Sequence, residues 1–483
     1  MKLNQDRCYR ALSARDSRFD GRFYTAVHTT GIYCRPICPA RTPKRENVHF
    51  YPSAAAAQAA GFRPCLRCRP ESAPQSAGEA SSEIVTRALA LIEMGALDDE
   101  GSVAALADRL SVGERQLRRE FQRQLGAPPV AVAQTRRILL AKQLIHQTRL
   151  PMTEVALASG FGSLRRFNEC FRELFGESPS ALRRAAPTKV DSASELTLQL
   201  SYRPPLDWGG ILSFLSARCI TGVECVLGQR YARTIGIGEQ QGVMVVEPGR
   251  GDSLQLRLRL SRLDPLPTII ARVRRQFDLG ADPLAIGQQL GADPIMAALV
   301  AARPGLRTPG AWDGFELAIR AILGQQITVA AAIRLAGRLT AEHGQRLAVP
   351  SAEFPQLTHL FPRAQVLAVA DLSVLPMPGA RSRALSALAR ASSADPQLFA
   401  PKASLQMALN QLKALPGIGE WTAQYIAMRE LREPDAFPAA DVGLMQAIAK
   451  LEGRRPNARE LLARAEHWRP WRAYAAQHLW ATL

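Results

Sequence analysis

The chain has 483 residues, of which 47% are hydrophobic and 22% charged, with a formal net charge of +18 at pH 7. That length is too great for one core and suggests about three domains of a soluble globular protein, with no apolar run long enough to span a membrane. The charge points to a polyanionic partner, nucleic acid before an acidic membrane surface.

The amino terminus, MKLNQDRCYRALSARD, has no signal-peptide core, so a cytoplasmic, nucleoid-associated location is expected. In that compartment paired cysteines bind metal rather than each other. The first such pairs lie in GIYCRPICPA and GFRPCLRCRP, which place Cys34 and Cys38, then Cys65 and Cys68, at the spacing of a four-thiolate zinc site. Arg35, Arg41, Lys44, Arg45, Arg63, Arg67 and Arg69 crowd this cluster. Zinc keeps thiols deprotonated, so a zinc-held thiolate among arginines is a nucleophile beside a phosphate-binding surface. The run RTPKRENVHFYPSAAAAQAAGFRPCLRCRPE resembles the amino-terminal domain of the Ada family. Over residues 1–72 the resemblance implies one zinc ion on Cys34, Cys38, Cys65 and Cys68. It also implies Cys34 as the acceptor of a methyl group from a DNA methylphosphotriester, with Arg35, Arg45 and Arg67 toward the DNA.

Two polar, anchor-poor stretches, 71–82 and 185–195, read as linkers. Between them, residues 83–185 read as helices. SVAALADRLSVGERQLRREFQRQLG gives a helix, a turn at 111–113 and a second helix. On that second helix Leu117, Phe121 and Leu125 share one face, while Arg115, Gln116, Arg118, Arg119 and Arg123 take the other. PMTEVALASGFGSLRRFNECFRELFGESPSALRR repeats the pattern, with Phe167, Phe171, Leu174 and Phe175 inside and Ser163, Arg165, Arg166 and Asn168 outside. The second repeat resembles the signature of AraC-type regulators. In that family each unit lays its second helix in a major groove.

Beyond the second linker, alternation at Leu196, Leu198 and Leu200 and in SLQLRLRL predicts strands, with GVMVVEP before the latter and a helix near 211–219. Residues 195–275 therefore read as a small mixed α/β subdomain, and the rest as helical. LKALPGIGEWTAQYIAMRE is a helix, a tight turn and a helix. Gly417 and Gly419 let the backbone approach a phosphate, bound by free amides and by Lys413. The turn is also a candidate seat for a monovalent cation.

ILGQQITVAAA, LPGIGEWTAQYIAMR, DAFPAADVGLMQAI and PWRAYAAQHLW occur in the order of the helix-hairpin-helix DNA glycosylases, and resemble the AlkA-type 3-methyladenine glycosylases most. The resemblance covers 196–483 and implies Asp441 as the carboxylate that stabilises an oxocarbenium-like sugar. Phe214, Trp421, Tyr425 and Trp480 fall in the family's aromatic pocket, which holds a flipped cationic base. Gln326 stands where the family's best-known member has a leucine wedge, so the range of bases is not carried over.

The expected architecture is thus multidomain and mainly α with α+β parts: a small four-cysteine zinc domain, an AraC-type double helix-turn-helix, a mixed α/β subdomain, and a helix-hairpin-helix glycosylase fold over 276–483. The Ada family's second acceptor motif, PCHR, is missing, since Cys170, Cys219 and Cys225 have other contexts. The resemblances imply a monomer that senses methylphosphotriesters, regulates transcription with RNA polymerase, and excises alkylated purines from double-stranded DNA. Two alternatives remain at this level. One is a methylation-switched regulator with an inactive glycosylase domain; the other is a repair enzyme whose front half only targets DNA.

Overall fold

The computed structural model describes residues 3–74, 83–98, 101–184 and 195–483; most of both expected linkers, and residue 185, lie outside the described residues. The chain forms two compact units, Met1–Arg203 with Gly249–Ala271, and Pro204–Pro248 with Arg272–Leu483.

In the first unit, strand β1 (Tyr24–Val27) runs antiparallel to both β2 (Ile32–Cys34) and β3 (Val48–Tyr51). The short β4 (Arg63–Pro64) pairs parallel with β2, setting Ile32 against Arg63 and Tyr33 against Pro64. One cysteine pair starts at the end of β2 and the other just after β4. The parallel pairing therefore brings two distant sequence motifs to one sheet end. Phe23, Val48 and Phe50 cover the helix Gln5–Ser13 through Cys8, Ala11 and Leu12.

Both helix-turn-helix units form where the period predicts them: Val103–Arg109 with Glu114–Leu125, and Met152–Ala158 with Leu164–Phe175. Leu117, Phe121 and Leu125 are buried, as are Phe167, Phe171 and Phe175; Leu174 is only half-buried. Ser102 and Ser163 cap their helices by accepting from the amides of Ala105 and Arg166. The long helix Pro129–Gln147 joins the units and also packs against the cysteine domain. Thr135 donates to Gln58 at 2.9 Å, and Gln58 donates to the Tyr33 hydroxyl at 2.9 Å. Lys142, wholly buried, pairs with Glu71 at 2.5 Å and donates to the carbonyl of Cys65 at 3.3 Å. Strands β5 (Leu196–Ser201) and β9 (Ser253–Leu260) complete this unit as an antiparallel pair with Leu198 opposite Leu256.

The expected α/β stretch is thus shared between the units. In the second unit, helix Trp208–Ser216 begins three residues earlier than expected, because Asp207 caps it by accepting from Gly210 N. An antiparallel meander follows, β6 (Glu224–Leu227), β7 (Arg230–Ile237) and β8 (Gln240–Pro248). Arg233 lies buried in β7, paired with Glu224 at 3.4 Å and Glu316 at 2.7 Å. Arg320 joins the same carboxylates. Burial opposes the ionisation of Glu316, but the two guanidiniums outweigh it and hold its carboxyl below the usual range. This network anchors helix Gly314–Leu323, which leads into the loop carrying Gln325 and Gln326. The remaining helices close over a core that includes Ile319, Leu385, Ile426, Leu444 and Trp468. Among the described residues no helix is long and apolar enough to cross a membrane.

Candidate functional site

Two sites stand out, one in each unit. At the end of the first sheet the four sulfurs of Cys34, Cys38, Cys65 and Cys68 lie within 4.8 Å of one another. A tetrahedron with Zn–S near 2.3 Å has edges of about 3.8 Å, so this donor set fits one zinc ion. The amides of Arg35 and Arg67 donate to the sulfurs of Cys68 and Cys65 at 3.3 and 3.4 Å, supporting their negative charge. Cys38, Cys65 and Cys68 are buried, whereas Cys34 is half-exposed. Of the four thiolates, Cys34 is therefore the one an external electrophile can reach.

Around this cluster Arg67 is exposed, and Arg45 is half-exposed over the rings of Tyr9 and Phe50. Arg35 departs from the expectation that it faces DNA. Its side chain is only 12% exposed and forms a two-point pair with buried Asp20, with Nη1 on the carbonyl of Cys68 at 3.1 Å. A guanidinium so engaged braces the cysteine loops from within. On the recognition helices Arg115, Arg118, Arg119, Arg165 and Arg166 are all exposed. Arg118 and Arg165 rest on Glu114 and Glu169 one turn away, surface pairs weak enough to exchange for phosphate. Ser163 faces outward too, although its hydroxyl already serves as the cap.

In the second unit Asp441 caps helix Val442–Glu452, its Oδ1 accepting from Leu444 N at 2.8 Å. Two indoles hold the same carboxylate: Trp480 Nε1 donates to Oδ1 at 2.9 Å and Trp421 Nε1 to Oδ2 at 2.7 Å. Three donors thus fix a half-buried carboxylate in one orientation. Trp421 stacks on Tyr425 with centroids 5.2 Å apart and planes 9° apart, and Trp480 meets Tyr425 edge-on at 6.5 Å. The guanidinium of Arg429 lies 4.5 Å from the Phe214 ring centroid and 5.5 Å from those of Tyr425 and Trp480. The four expected aromatics therefore share one locus.

The hairpin turn joins helices Leu405–Lys413 and Glu420–Arg429. Gly417 has φ +81°, and a Cβ there would lie 2.4 Å from Ala384 Cβ, so only glycine fits. Gly419 starts the second helix with no side-chain cap, and a Cβ on it would meet nothing within 4 Å. That open amide end suits an anion. Lys413 is not free for one, since it pairs with Glu420 at 2.7 Å. Gln326 is exposed at φ +59°, a left-handed conformation uncommon outside glycine. Its neighbour Gln325 donates to Gly417 O at 2.8 Å and to Thr422 Oγ1 at 3.1 Å, tying this loop to the hairpin.

The metal-binding domain of Ada matches residues 7–71, a helix-turn-helix domain 106–185, and the AlkA N-terminal domain 197–313. A probable bifunctional transcriptional activator/DNA repair enzyme AlkA of Mycobacterium tuberculosis is 44% identical over 99% of this chain and 96% of its own. The chain belongs to this family. DNA-3-methyladenine glycosylase 2 of Escherichia coli is 38% identical over 59% of this chain and 96% of its own. The fold of 3-methyladenine DNA-glycosylase from Archaeoglobus fulgidus superposes with a TM-score of 0.52 at 17% identity, over 58% of this chain and 96% of that one.

For a bifunctional Ada/AlkA regulator–glycosylase, the four-cysteine cluster is the zinc site and the helical end is the glycosylase fold. Sequence reasoning missed two of its charged residues, Asp20 and Arg429, and turned Arg35 outward instead of inward. Asp20 and Arg35 brace the cysteine loops, and Arg429 sits against the aromatic cluster. The only available signal for Arg429 was its spacing of four from Tyr425 and eight from Trp421 on one helix.

Proposed function

We propose that this regulator–glycosylase hydrolyses the N-glycosidic bond of alkylated purines such as 3-methyladenine with Asp441, and reports methylphosphotriesters through Cys34. The observation that carries the first half is the Asp441 carboxylate clamped between two indole donors beside a stacked aromatic pair. A flipped base alkylated at a ring nitrogen carries positive charge, which aromatic faces accept. As its bond to C1′ breaks, the electron pair leaves with the base and the sugar gains positive charge opposite Asp441. Water then adds to C1′ and passes its proton to that carboxylate. Gln326, on the loop tied to the hairpin, fills the space the base vacates, and Gly417 and Gly419 bring backbone amides to the phosphates.

The second half rests on Cys34 being the accessible thiolate of the four. Zinc, when bound, keeps the thiols deprotonated. The Cys34 sulfur displaces a phosphate diester from the methyl carbon, forming S–CH3 and breaking C–O in one irreversible step. Four thiolates on zinc carry −2, and one thioether reduces this to −1. At an effective dielectric near 20, unit charges 4 Å apart interact by about 4 kcal/mol, against about 1 in water. Methylation therefore tightens binding of the protein to DNA whose phosphates lie beside the cluster, by roughly fivefold to about a thousandfold. Arg45, Arg67, Arg115, Arg118, Arg119, Ser163, Arg165 and Arg166 supply the contacts. The functional divisions are 1–72, 83–185, 195–275 and 276–483, in a monomeric cytoplasmic protein that engages RNA polymerase at its promoters.

Promoter binding before and after treatment with methylphosphotriester DNA tests the switch. The intact protein should gain at least about fivefold in affinity, and Cys34→Ser should gain nothing. Unchanged affinity despite methylated Cys34 would leave the front half as a targeting module only.

A further inference from the structure

Arg429 closes the row of Trp421 and Tyr425 along helix Glu420–Arg429. Eight residues of helix rise about 12 Å, so Asp441 at the Trp421 end and the guanidinium at the other are opposite poles of one aromatic wall. Arg429 is 2% exposed. Its Nη1 donates to Pro309 O and its Nη2 to Gln477 Oε1, both at 2.8 Å, while Nε has no partner. Among the described residues no carboxylate pairs with it. Burial brings its pKa down to about 10, which still leaves it charged at neutral pH. A buried charge balanced by carbonyl oxygens and ring faces but by no carboxylate is costly to keep, and packing alone would be served by a neutral side chain.

We propose that Arg429 is a positioning residue whose standing charge, opposed to Asp441 across the aromatic wall, drives the glycosidic electron pair onto the departing base. This inference rests on the glycosylase reading above. In every substrate the C1′–N bond breaks heterolytically: the base gains the electron pair, and the sugar becomes cationic beside Asp441. A cationic base leaves neutral, whereas a neutral purine leaves as an anion and takes a proton from water. Arg429 favours the second outcome outright. With a cationic base it repels the bound substrate, and the repulsion is relieved as the bond breaks. The charge therefore raises kcat for both classes, raises KM for cationic bases only, and widens the enzyme's range toward neutral ones.

The test uses the intact protein, Arg429→Met and Arg429→Lys, with duplexes carrying 7-methylguanine, a cation, or hypoxanthine, a neutral purine. A unit charge about 6 Å from the departing charge, at a dielectric near 20, is worth about a hundredfold in rate. Arg429→Met should lose about that much kcat/KM on hypoxanthine. On 7-methylguanine it should lose less than about tenfold, because kcat and KM fall together. Arg429→Lys should restore most of the hypoxanthine activity. The ratio of the two substrates within one preparation does not depend on how much of it is folded. Equal losses on both substrates, or a parent protein active on 7-methylguanine but not hypoxanthine, would overturn the inference. A parent that releases neither base would overturn the glycosylase reading itself.

Discussion

Asp441→Asn should lower the rate of base release by about a thousandfold while leaving DNA binding within a few-fold of the parent. A carboxylate about 4 Å from a full positive charge, at an effective dielectric near 20, is worth about 4 kcal/mol, which is roughly three decades in rate. The amide keeps the shape, and asparagine is as good a helix cap as aspartate, so the bond from Leu444 N survives. It can satisfy only one of the two indoles, however. Because Leu444 N and Trp480 share Oδ1, Trp421 is the indole that then faces an amide N–H, donor against donor, which costs about 1–3 kcal/mol of stability. The melting temperature should therefore fall modestly while catalysis collapses. Single-turnover release from methylated duplex DNA measures the rate, and retained activity in Asp441→Asn would remove Asp441 from the chemistry.

Lys142→Met should be the most damaging single change in the first unit. It leaves the Glu71 carboxylate buried without its cation, a penalty of about 3–5 kcal/mol. It also frees the carbonyl of Cys65, so the loss should appear first at the metal. Adding Glu71→Leu should recover most of the stability, because a buried ion pair exchanged whole for apolar side chains is often neutral. The urea concentration at which zinc is released measures both. A single mutant that holds zinc as the parent does would show that the cysteine domain does not depend on helix Pro129–Gln147.

These two predictions rest on features of unequal visibility in the sequence. The cysteine pairs, the stripes at Leu117–Phe121–Leu125 and Phe167–Phe171–Phe175, and the PGIG turn are legible because each is local. A spacing of a few residues fixes the geometry, and the structure only closes it. Buried charges are not legible, because their partners lie far along the chain. Arg35 reads as one more arginine in a basic surface, yet its partner Asp20 turns it inward. Arg233 interrupts the apolar run of β7, and the strand makes sense only with Glu224 and Glu316 in place to neutralise it. Lys142 lies among the aliphatics of RRILLAKQLIHQ, on the same face as the buried Ile138 and Ile145. A lysine on that face signals a buried partner, but nothing in the sequence says that the partner is Glu71. Asp441 shows the converse: its own backbone surroundings make it the cap of helix Val442–Glu452, and two distant indoles add the rest.

On the reading proposed above, one chain both receives methyl groups from DNA phosphates and removes methylated bases. Duplex DNA alkylated with a radiolabelled methylating agent, incubated with the intact zinc-loaded protein, tests it directly through the partition of label. Label is expected in two places, as free methylated base in solution and as one methyl per chain on the peptide containing Cys34. Label that stays on the DNA, or that reaches Cys34 with no free base released, would contradict that reading.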